Sequence, residues 1–184
     1  SVVVHFGVPF TSRSFVAFMA RRFCDLYGTP NFTTGSSFCY LARTIAHNLT
    51  WGARAMPNYL DLVDTRCAVL WGSNVMESND PFPSGCLRDE INRGAKLIVI
   101  DPRATRLARE ADIHAQVRPG TDCALALGML NVIIAEGLYD RDFVEQWTVG
   151  FDRLVEHVKD WSPQRVEAVT WVEADTVRQM ARMY

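Results

Sequence analysis

The chain has 184 residues, of which 48% are hydrophobic and 22% charged, and its formal net charge is −2. This composition supports a sizeable buried core and excludes a disordered chain. The slight negative charge disfavours nucleic-acid binding, and no run approaches the ~20 apolar residues of a membrane span, so direct membrane insertion is not expected.

The first elements in chain order are a strand and a helix. SVVVHFG (1–7) predicts a buried strand, and residues 12–28 have the apolar spacing of an amphipathic helix that ends at Gly28. Residues 29–38 are polar, which predicts a loop, and residues 39–52 predict a second helix.

Further strands and helices then alternate. In order, the pattern predicts a strand at about 67–71, a loop at 76–85, a helix at 86–94, a strand at 95–101, a short helix at 103–111, a short strand or extended segment at 113–119, a buried helix at 121–140 and more helices to the end. The strands are continuous apolar runs, as in parallel sheets covered on both faces. The predicted fold is therefore α/β, a three-layer αβα arrangement with a mostly parallel, Rossmann-like sheet. Ligands of such sheets bind beyond the carboxyl ends of the strands.

Asp101 stands at the end of a strongly apolar strand, in the segment IVIDPR (98–103). A carboxylate there can accept both hydroxyls of a ribose, while Pro102 fixes the turn and Arg103 can reach a phosphate. The alternative is that Asp101 caps the following helix, and position alone does not separate the two.

Asp122 follows Pro119-Gly120-Thr121 and precedes another apolar run. The simplest interpretation is again a helix cap. The functional alternative is that its carboxylate accepts hydrogen bonds from two N–H donors on the edge of a guanine, as acidic side chains do when they recognise the amino group of a nucleic-acid base.

Gly72, Ser73 and Asn74 follow a predicted strand, where a glycine lets the backbone approach a ligand closely. The segment lacks the GxGxxG spacing of nicotinamide-binding loops. Glu77 follows closely, and it is either a ribose-binding acid or a solvated loop acid.

Cys39 differs from the other four cysteines because it ends a polar loop and begins a helix. A helix start favours the thiolate, which can ligate a transition metal or act as a nucleophile. The alternative is a half-buried structural cysteine. Cys67 and Cys123 lie in apolar runs and are expected in the core. No CxxC pair exists, which disfavours a self-contained zinc or iron–sulfur site.

Four segments together resemble the molybdopterin oxidoreductases of the dimethyl-sulfoxide-reductase superfamily: 28–43, 61–78, 94–152 and 161–170. The third segment is the most specific. It contains, in order and at the family's spacing, a strand followed by DPR, then AD, then RPGTD-x-ALALGM and EGLYD-x-DFV. The resemblance covers essentially the whole chain.

The resemblance implies a bis-molybdopterin guanine dinucleotide cofactor around one molybdenum or tungsten. Asp101 then resembles a nucleotide-binding acid, Asp122 the acid that recognises guanine, and Cys39 the catalytic metal ligand. The residues that the resemblance assigns to cofactor binding are Gly72, Ser73, Asn74, Glu77, Asp101, Pro102, Arg103, Gly120 and Asp122.

The resemblance also implies a fragment of a larger multidomain enzyme, because the family's [4Fe–4S] cysteine cluster and C-terminal domain are not in these residues. Residues 1–34 resemble the start of a discontinuous α/β domain, 35–155 the inserted domain that binds the dinucleotide, and 156–184 a helical return to the first domain. The fragment alone is expected to be inactive. The full-length enzyme is expected to act on a small-molecule substrate, with an iron–sulfur electron-transfer subunit, in a bacterium or archaeon and on either the cytoplasmic or the periplasmic side.

The expected activity is that of a polysulfide/thiosulfate reductase-like or formate dehydrogenase-like enzyme of anaerobic respiration. The alternatives are an acetylene-hydratase-like member and a non-catalytic structural subunit, although the presence of Cys39, Asp101 and Asp122 disfavours the latter. A nicotinamide-dependent dehydrogenase is a further rival, which the missing GxGxxG disfavours.

Overall fold

The computed structural model describes residues 2–6, 14–35, 41–52, 62–77 and 81–184. The chain divides into two compact units, Ser1–Asn58 and Tyr59–Tyr184, which are treated separately below. The predicted domain boundaries after residues 34 and 155 concern the complete protein and stay a prediction.

Within its described residues, the first unit contains two short strands and two helices: β1 (Val4–Phe6), α1 (Ser14–Tyr27), β2 (Phe32–Thr34) and α2 (Leu41–Trp51). β1 and β2 are parallel, with Val4 opposite Phe32. The predicted strand and helices are confirmed in position, but the strand is not buried as predicted, since Val4 is half-buried and His5 is exposed. The prediction of a loop over residues 29–38 is wrong at β2. These three residues form a strand because they pair with β1.

The second unit carries the larger sheet. Its elements are β3 (Cys67–Trp71), α3 (Pro81–Asn92), β4 (Lys96–Ile100), α4 (Arg106–Glu110), β5 (Ile113–Ala115), α5 (Asp122–Ala135), α6 (Arg141–Trp147), α7 (Phe151–Val158), α8 (Pro163–Thr170) and α9 (Ala174–Met183). The sheet order is β3-β4-β5, and both pairings are parallel. The last residues of the three strands, Trp71, Ile100 and Ala115, lie opposite one another.

Strand β4 is the centre of this unit because its side chains alternate between two cores. Ile98 and Ile100 face a cluster built with α5, α8 and α9, whereas Leu97 and Val99 face a cluster built with α3 and α4. All four side chains are fully buried, at 0–1% exposure. Burial of each contributes roughly 1.5–3 kcal/mol. Helices therefore cover both faces, and the predicted three-layer α/β fold is confirmed.

Some predicted boundaries differ from the structure. Helix α3 begins at Pro81, inside the loop predicted at 76–85, because proline is tolerated in the first turn of a helix. The helix predicted at 103–111 spans only Arg106–Glu110, after a cap at Thr105. Cys123 is exposed, so its prediction as a core residue is wrong: it lies on the outer side of α5, next to the buried Ala124 and Leu125.

Helices α5 and α8 approach each other closely at Gly128 in α5. A methyl group built on Gly128 would lie 2.5 Å from Cγ2 of Val166 in α8. Gly128→Ala is therefore expected to lower the free energy of unfolding by about 1–2 kcal/mol, since the clash outweighs the better helix propensity of alanine. Urea denaturation followed by circular dichroism measures this change.

Gly85 in α3 provides the matched control, because a methyl group there meets no atom within 4 Å. Gly85→Ala is expected to be neutral or to stabilise by about 0.5–1 kcal/mol. Gly128→Ala should cost less in a Val166→Ala background than in the unchanged protein, because Val166→Ala removes the Cγ atoms that clash. Equal effects of the two glycine substitutions would contradict the close contact between α5 and α8.

Candidate functional site

Three loops leave the larger sheet at the carboxyl ends of β3, β4 and β5, at residues 72–77, 101–105 and 116–122. We call this region the carboxyl edge. Backbone hydrogen bonds join the loops where they begin: the N–H of Gly72 donates to the carbonyl of Ile100 at 2.8 Å, and that of Asp101 donates to Ala115 at 3.2 Å. The first residue of each of these two loops therefore continues the hydrogen bonding of the sheet.

The loop after β3 offers a glycine turn and an amide that has no partner. Gly72 has a φ of +56°, a backbone conformation that favours glycine, and its missing side chain leaves open space. Among the described residues, neither Oδ1 nor Nδ2 of Asn74 has a hydrogen-bond partner, although both atoms are buried. Buried polar groups are nearly always paired, so this amide indicates a missing polar ligand.

The loop after β4 holds Asp101 in a fixed orientation. Asp101 is only 7% exposed, and its Oδ1 accepts the N–H of Arg103 at 2.7 Å. The ring Nε2 of His114 donates to the carbonyl of Asp101 at 2.9 Å, and Nε2 of Gln116 donates to the carbonyl of Pro102 at 3.3 Å. Across the part of the chain that the structure describes, Oδ2 of Asp101 has no partner.

The helix cap after this loop is Thr105, not Asp101. The hydroxyl of Thr105 accepts the N–H of Ala108 at 3.2 Å. The capping interpretation of Asp101 is therefore wrong, because its carboxylate folds back onto its own turn, four residues before the cap.

A basic cavity of about 270 Å³ lies beside this loop. Its charged lining consists of Glu77, Arg103, Arg106 and Arg109. Within the described ranges, Arg103 and Arg109 make no ion pair, whereas Arg106 binds Glu110 at 3.2 Å. With Arg106 paired to Glu110, Arg103 and Arg109 still outnumber the single carboxylate of Glu77, which suits a phosphate or another anion that arginine can bind with two parallel hydrogen bonds.

The loop after β5 ends at the start of α5. The N–H and hydroxyl of Thr121 donate to the carbonyl of Arg118, at 3.1 and 2.7 Å, and Gly120 between them has a φ of +84°. The guanidinium of Arg118 lies over the ring of Trp171, 5.2 Å from its centroid. These contacts fix the approach of the chain to α5.

Asp122 is the first residue of α5, and Thr121 is the N-cap, so the capping interpretation of Asp122 is wrong as well. Its exposed carboxylate instead accepts the indole N–H of Trp71, with 2.8 Å between Nε1 and Oδ1. A negative charge in the first turn of a helix is favourable. The structure thus presents an exposed carboxylate at the rim of the carboxyl edge.

The structure brings most of the predicted residues together and adds some that the sequence interpretation missed. The nine residues predicted to bind cofactor lie in the three loops of the carboxyl edge or at the first residue of α5; their role stays a prediction. Cys39 lies outside the described residues. The sequence interpretation did not single out Trp71, Arg106 or Arg109. A signal for the two arginines was available, because the basic residues of the chain are almost all arginines, which suit anion binding.

The amino-terminal edge of the sheet, opposite the carboxyl edge, contains an ion pair between Lys96 and Asp112. Asp112 bonds Lys96 at 2.6 Å and the N–H of Leu97 at 2.9 Å, and these two contacts lower the pKa of its carboxyl. This stabilising contribution is present at neutral pH and is lost as pH falls through the lowered pKa. Burial, and then the charge of Asp112, raises the pKa of the Cys67 thiol, which disfavours the thiolate form.

In the described ranges, no three histidine, cysteine or acidic side chains are grouped so as to hold a metal ion. None of the helices described has both the length and the hydrophobicity to cross a membrane.

The comparisons with known proteins agree on one family. The family model of molybdopterin oxidoreductases matches residues 4–178. Acetylene hydratase of Syntrophotalea acetylenica is 40% identical over 164 residues, which is 89% of this chain and 22% of that protein. The solved structure of acetylene hydratase from Pelobacter acetylenicus superimposes with a TM-score of 0.75 at 39% identity and covers 90% of this chain and 22% of that one.

Two other relatives carry different activities in their names. Formate dehydrogenase H of Escherichia coli is 39% identical over 72% of this chain, and the molybdopterin-containing subunit of thiosulfate reductase from Salmonella typhimurium is 34% identical over 85%. The chain spans about a fifth of the length of the relatives it matches, from 19% to 22% in these three.

Proposed function

Since this chain belongs to the molybdopterin oxidoreductase family, we propose that it is the part of a molybdenum or tungsten oxidoreductase that binds a guanine dinucleotide form of the cofactor. The observation that carries this proposal is the carboxyl edge, where two carboxylates and a buried, unpaired amide lie on adjacent loops of one parallel sheet. Such edges are the ligand-binding positions of α/β folds.

The residues of the carboxyl edge fit a nucleotide. The free Oδ2 of Asp101 is available to accept ribose hydroxyls, because Oδ1 already bonds the backbone. Arg103, supported by Arg109 in the same cavity, would hold phosphate oxygens. The amide of Asn74 would gain the partner that it lacks. Asp122 would accept the two N–H donors on the edge of guanine.

The backbone of the first loop also favours a ligand at close range. Gly72 has open space where a side chain would stand, and Ser73 follows it directly. Glu77 lines the basic cavity opposite the arginines and would bind a sugar hydroxyl rather than a phosphate. The loop Pro119-Gly120-Thr121 sets the position of Asp122.

Cys39 is the proposed metal ligand, by its match to the family's ligand position. In the complete enzyme, two pterin dinucleotides would surround one metal, which would supply oxygen-atom transfer or coupled two-electron and proton chemistry on a small substrate. The chain described here would contribute binding, orientation and one soft thiolate ligand. A [4Fe–4S] centre and an iron–sulfur subunit are the proposed route for electrons.

Two reaction classes remain in competition. Relatives named formate dehydrogenase and thiosulfate reductase support a redox reaction on a small anion. The 40% identity to acetylene hydratase favours a hydratase-like member as the second candidate. Assays of the full-length protein with formate, thiosulfate, polysulfide and acetylene, each with a suitable electron donor or acceptor, separate these candidates.

The decisive test of cofactor binding is the metal and nucleotide content of the full-length protein from its native host. We expect about one molybdenum or tungsten per chain by mass spectrometry and two GMP per chain after acid hydrolysis. These two results would also identify the metal. A folded protein without metal and GMP would overturn the proposal and support a non-catalytic structural subunit.

A further inference from the structure

Trp71 connects the end of one strand with the carboxylate at the start of a distant helix. It is the last residue of β3, and its indole Nε1 donates to Oδ1 of Asp122 at 2.8 Å, across 51 positions of sequence. The indole N–H is a donor only and the carboxylate is an acceptor only, so the direction of this hydrogen bond is fixed. The contact is specific rather than a consequence of general packing.

The ring of Trp71 is partly buried and packs against the core that α5, α8 and α9 build on one face of the sheet. It also lines an apolar cavity of about 330 Å³ together with Val69, Met129, Leu130 and Ile133. Its backbone lies opposite Ile100 in the sheet. A side chain fixed at both backbone and ring can orient a second group that is exposed to solvent.

The carboxylate of Asp122 needs such orientation. The terminal torsion of an aspartate is broad, so an exposed carboxylate samples many rotations. A carboxylate has about four acceptor positions, and the indole uses one of them. About three remain, which is enough for the two N–H donors that guanine presents.

We propose that Trp71 is a positioning residue, which holds the carboxylate of Asp122 so that both of its oxygens can accept the N1–H and N2–H donors of a guanine. This inference rests on the proposed function, in which Asp122 binds guanine. Trp71 itself touches the carboxylate and not the base. It therefore contributes to the choice of base rather than to overall nucleotide affinity.

Guanine and hypoxanthine provide the discriminating pair of bases. Both present N1–H, but only guanine carries the 2-amino group. A correctly oriented carboxylate gains one additional charged hydrogen bond with guanine, which corresponds to a preference of about tenfold or more. If the carboxylate rotates freely, the second bond forms less often and the preference falls.

The experiment uses the full-length protein purified without cofactor, with GDP and IDP as probes in calorimetric titrations. For the unchanged protein we expect tighter binding of GDP than of IDP. Trp71→Phe keeps an aromatic ring but removes the N–H, and it should reduce the GDP to IDP preference by about threefold to tenfold. The ratio does not depend on the fraction of folded protein, because both affinities refer to the same sample.

Val69→Ala is the control for packing. It disturbs the apolar cavity but keeps the indole N–H, so it should lower the melting temperature and leave the GDP to IDP preference unchanged. A preference that Trp71→Phe leaves intact, or that Val69→Ala reduces equally, would overturn the positioning role.

Asp122→Asn separates this inference from the proposed function. It should abolish the preference for GDP over IDP. If Asp122→Asn retains the preference, Asp122 does not recognise guanine and the proposed function fails with the inference. If Asp122→Asn loses the preference while Trp71→Phe retains it, only the positioning role of Trp71 is overturned.

Discussion

Cys39→Ala is expected to reduce turnover of the full-length enzyme by about a thousandfold or more, while its GMP content stays close to that of the unchanged protein. The reason is that the thiolate would bind the metal directly, whereas the nucleotide contacts come from the carboxyl edge. Initial rates with the identified substrate and GMP released by acid hydrolysis measure the two effects on one preparation.

Cys123→Ala is the matched control for the chemical change. Cys123 is a free and exposed thiol in α5, and its replacement should alter neither activity nor GMP content. Full turnover in Cys39→Ala would show that Cys39 is a structural cysteine. Loss of GMP together with activity would show instead that Cys39 supports the fold around the cofactor.

Asp101→Asn is expected to weaken GDP binding to the cofactor-free protein by about tenfold or more, because it removes the negative acceptor for the ribose hydroxyls. Asparagine still has an oxygen that can accept the N–H of Arg103, so the turn at 101–103 should persist. Titration calorimetry with GDP gives the affinity, and the melting temperature reports the fold.

Asp112→Asn is the control at the other end of the same sheet. Asp112 pairs with Lys96 and Leu97, so its substitution should lower stability at neutral pH without changing GDP affinity. The difference in stability should shrink as pH falls, because the lowered pKa of Asp112 makes its contribution disappear in acid. Equal GDP affinity in Asp101→Asn and the unchanged protein would remove Asp101 from the nucleotide site.

The sequence predicted the larger sheet well because its strands are unambiguous. The apolar run at 67–71 matches β3 residue for residue, and the run at 95–101 contains all of β4. Continuous hydrophobicity identifies strands that are buried on both faces. β2 was missed because a strand of three residues is defined by its partner, β1, which lies 28 positions earlier.

The site was predicted in position but not in its contacts. Strand ends and glycine turns located Asp101 and Asp122, because parallel strands bring their carboxyl ends to one edge. Local sequence also suggested that both acids cap helices, whereas the caps are Thr105 and Thr121. The hydrogen bond from Trp71 to Asp122 could not be read from sequence, because it depends on how α5 packs against β3.

The two backbone bonds at the start of the carboxyl edge have a consequence for amide hydrogen exchange. By sequence, Gly72 and Asp101 both belong to loops. Their N–H groups nevertheless donate to the carbonyls of Ile100 and Ala115, respectively. They should exchange as slowly as the amides of β4, with protection set by global unfolding rather than by loop motion. A nucleotide that binds there would contact a backbone that is already ordered. The conformational entropy that the protein loses on binding would therefore come mainly from its side chains.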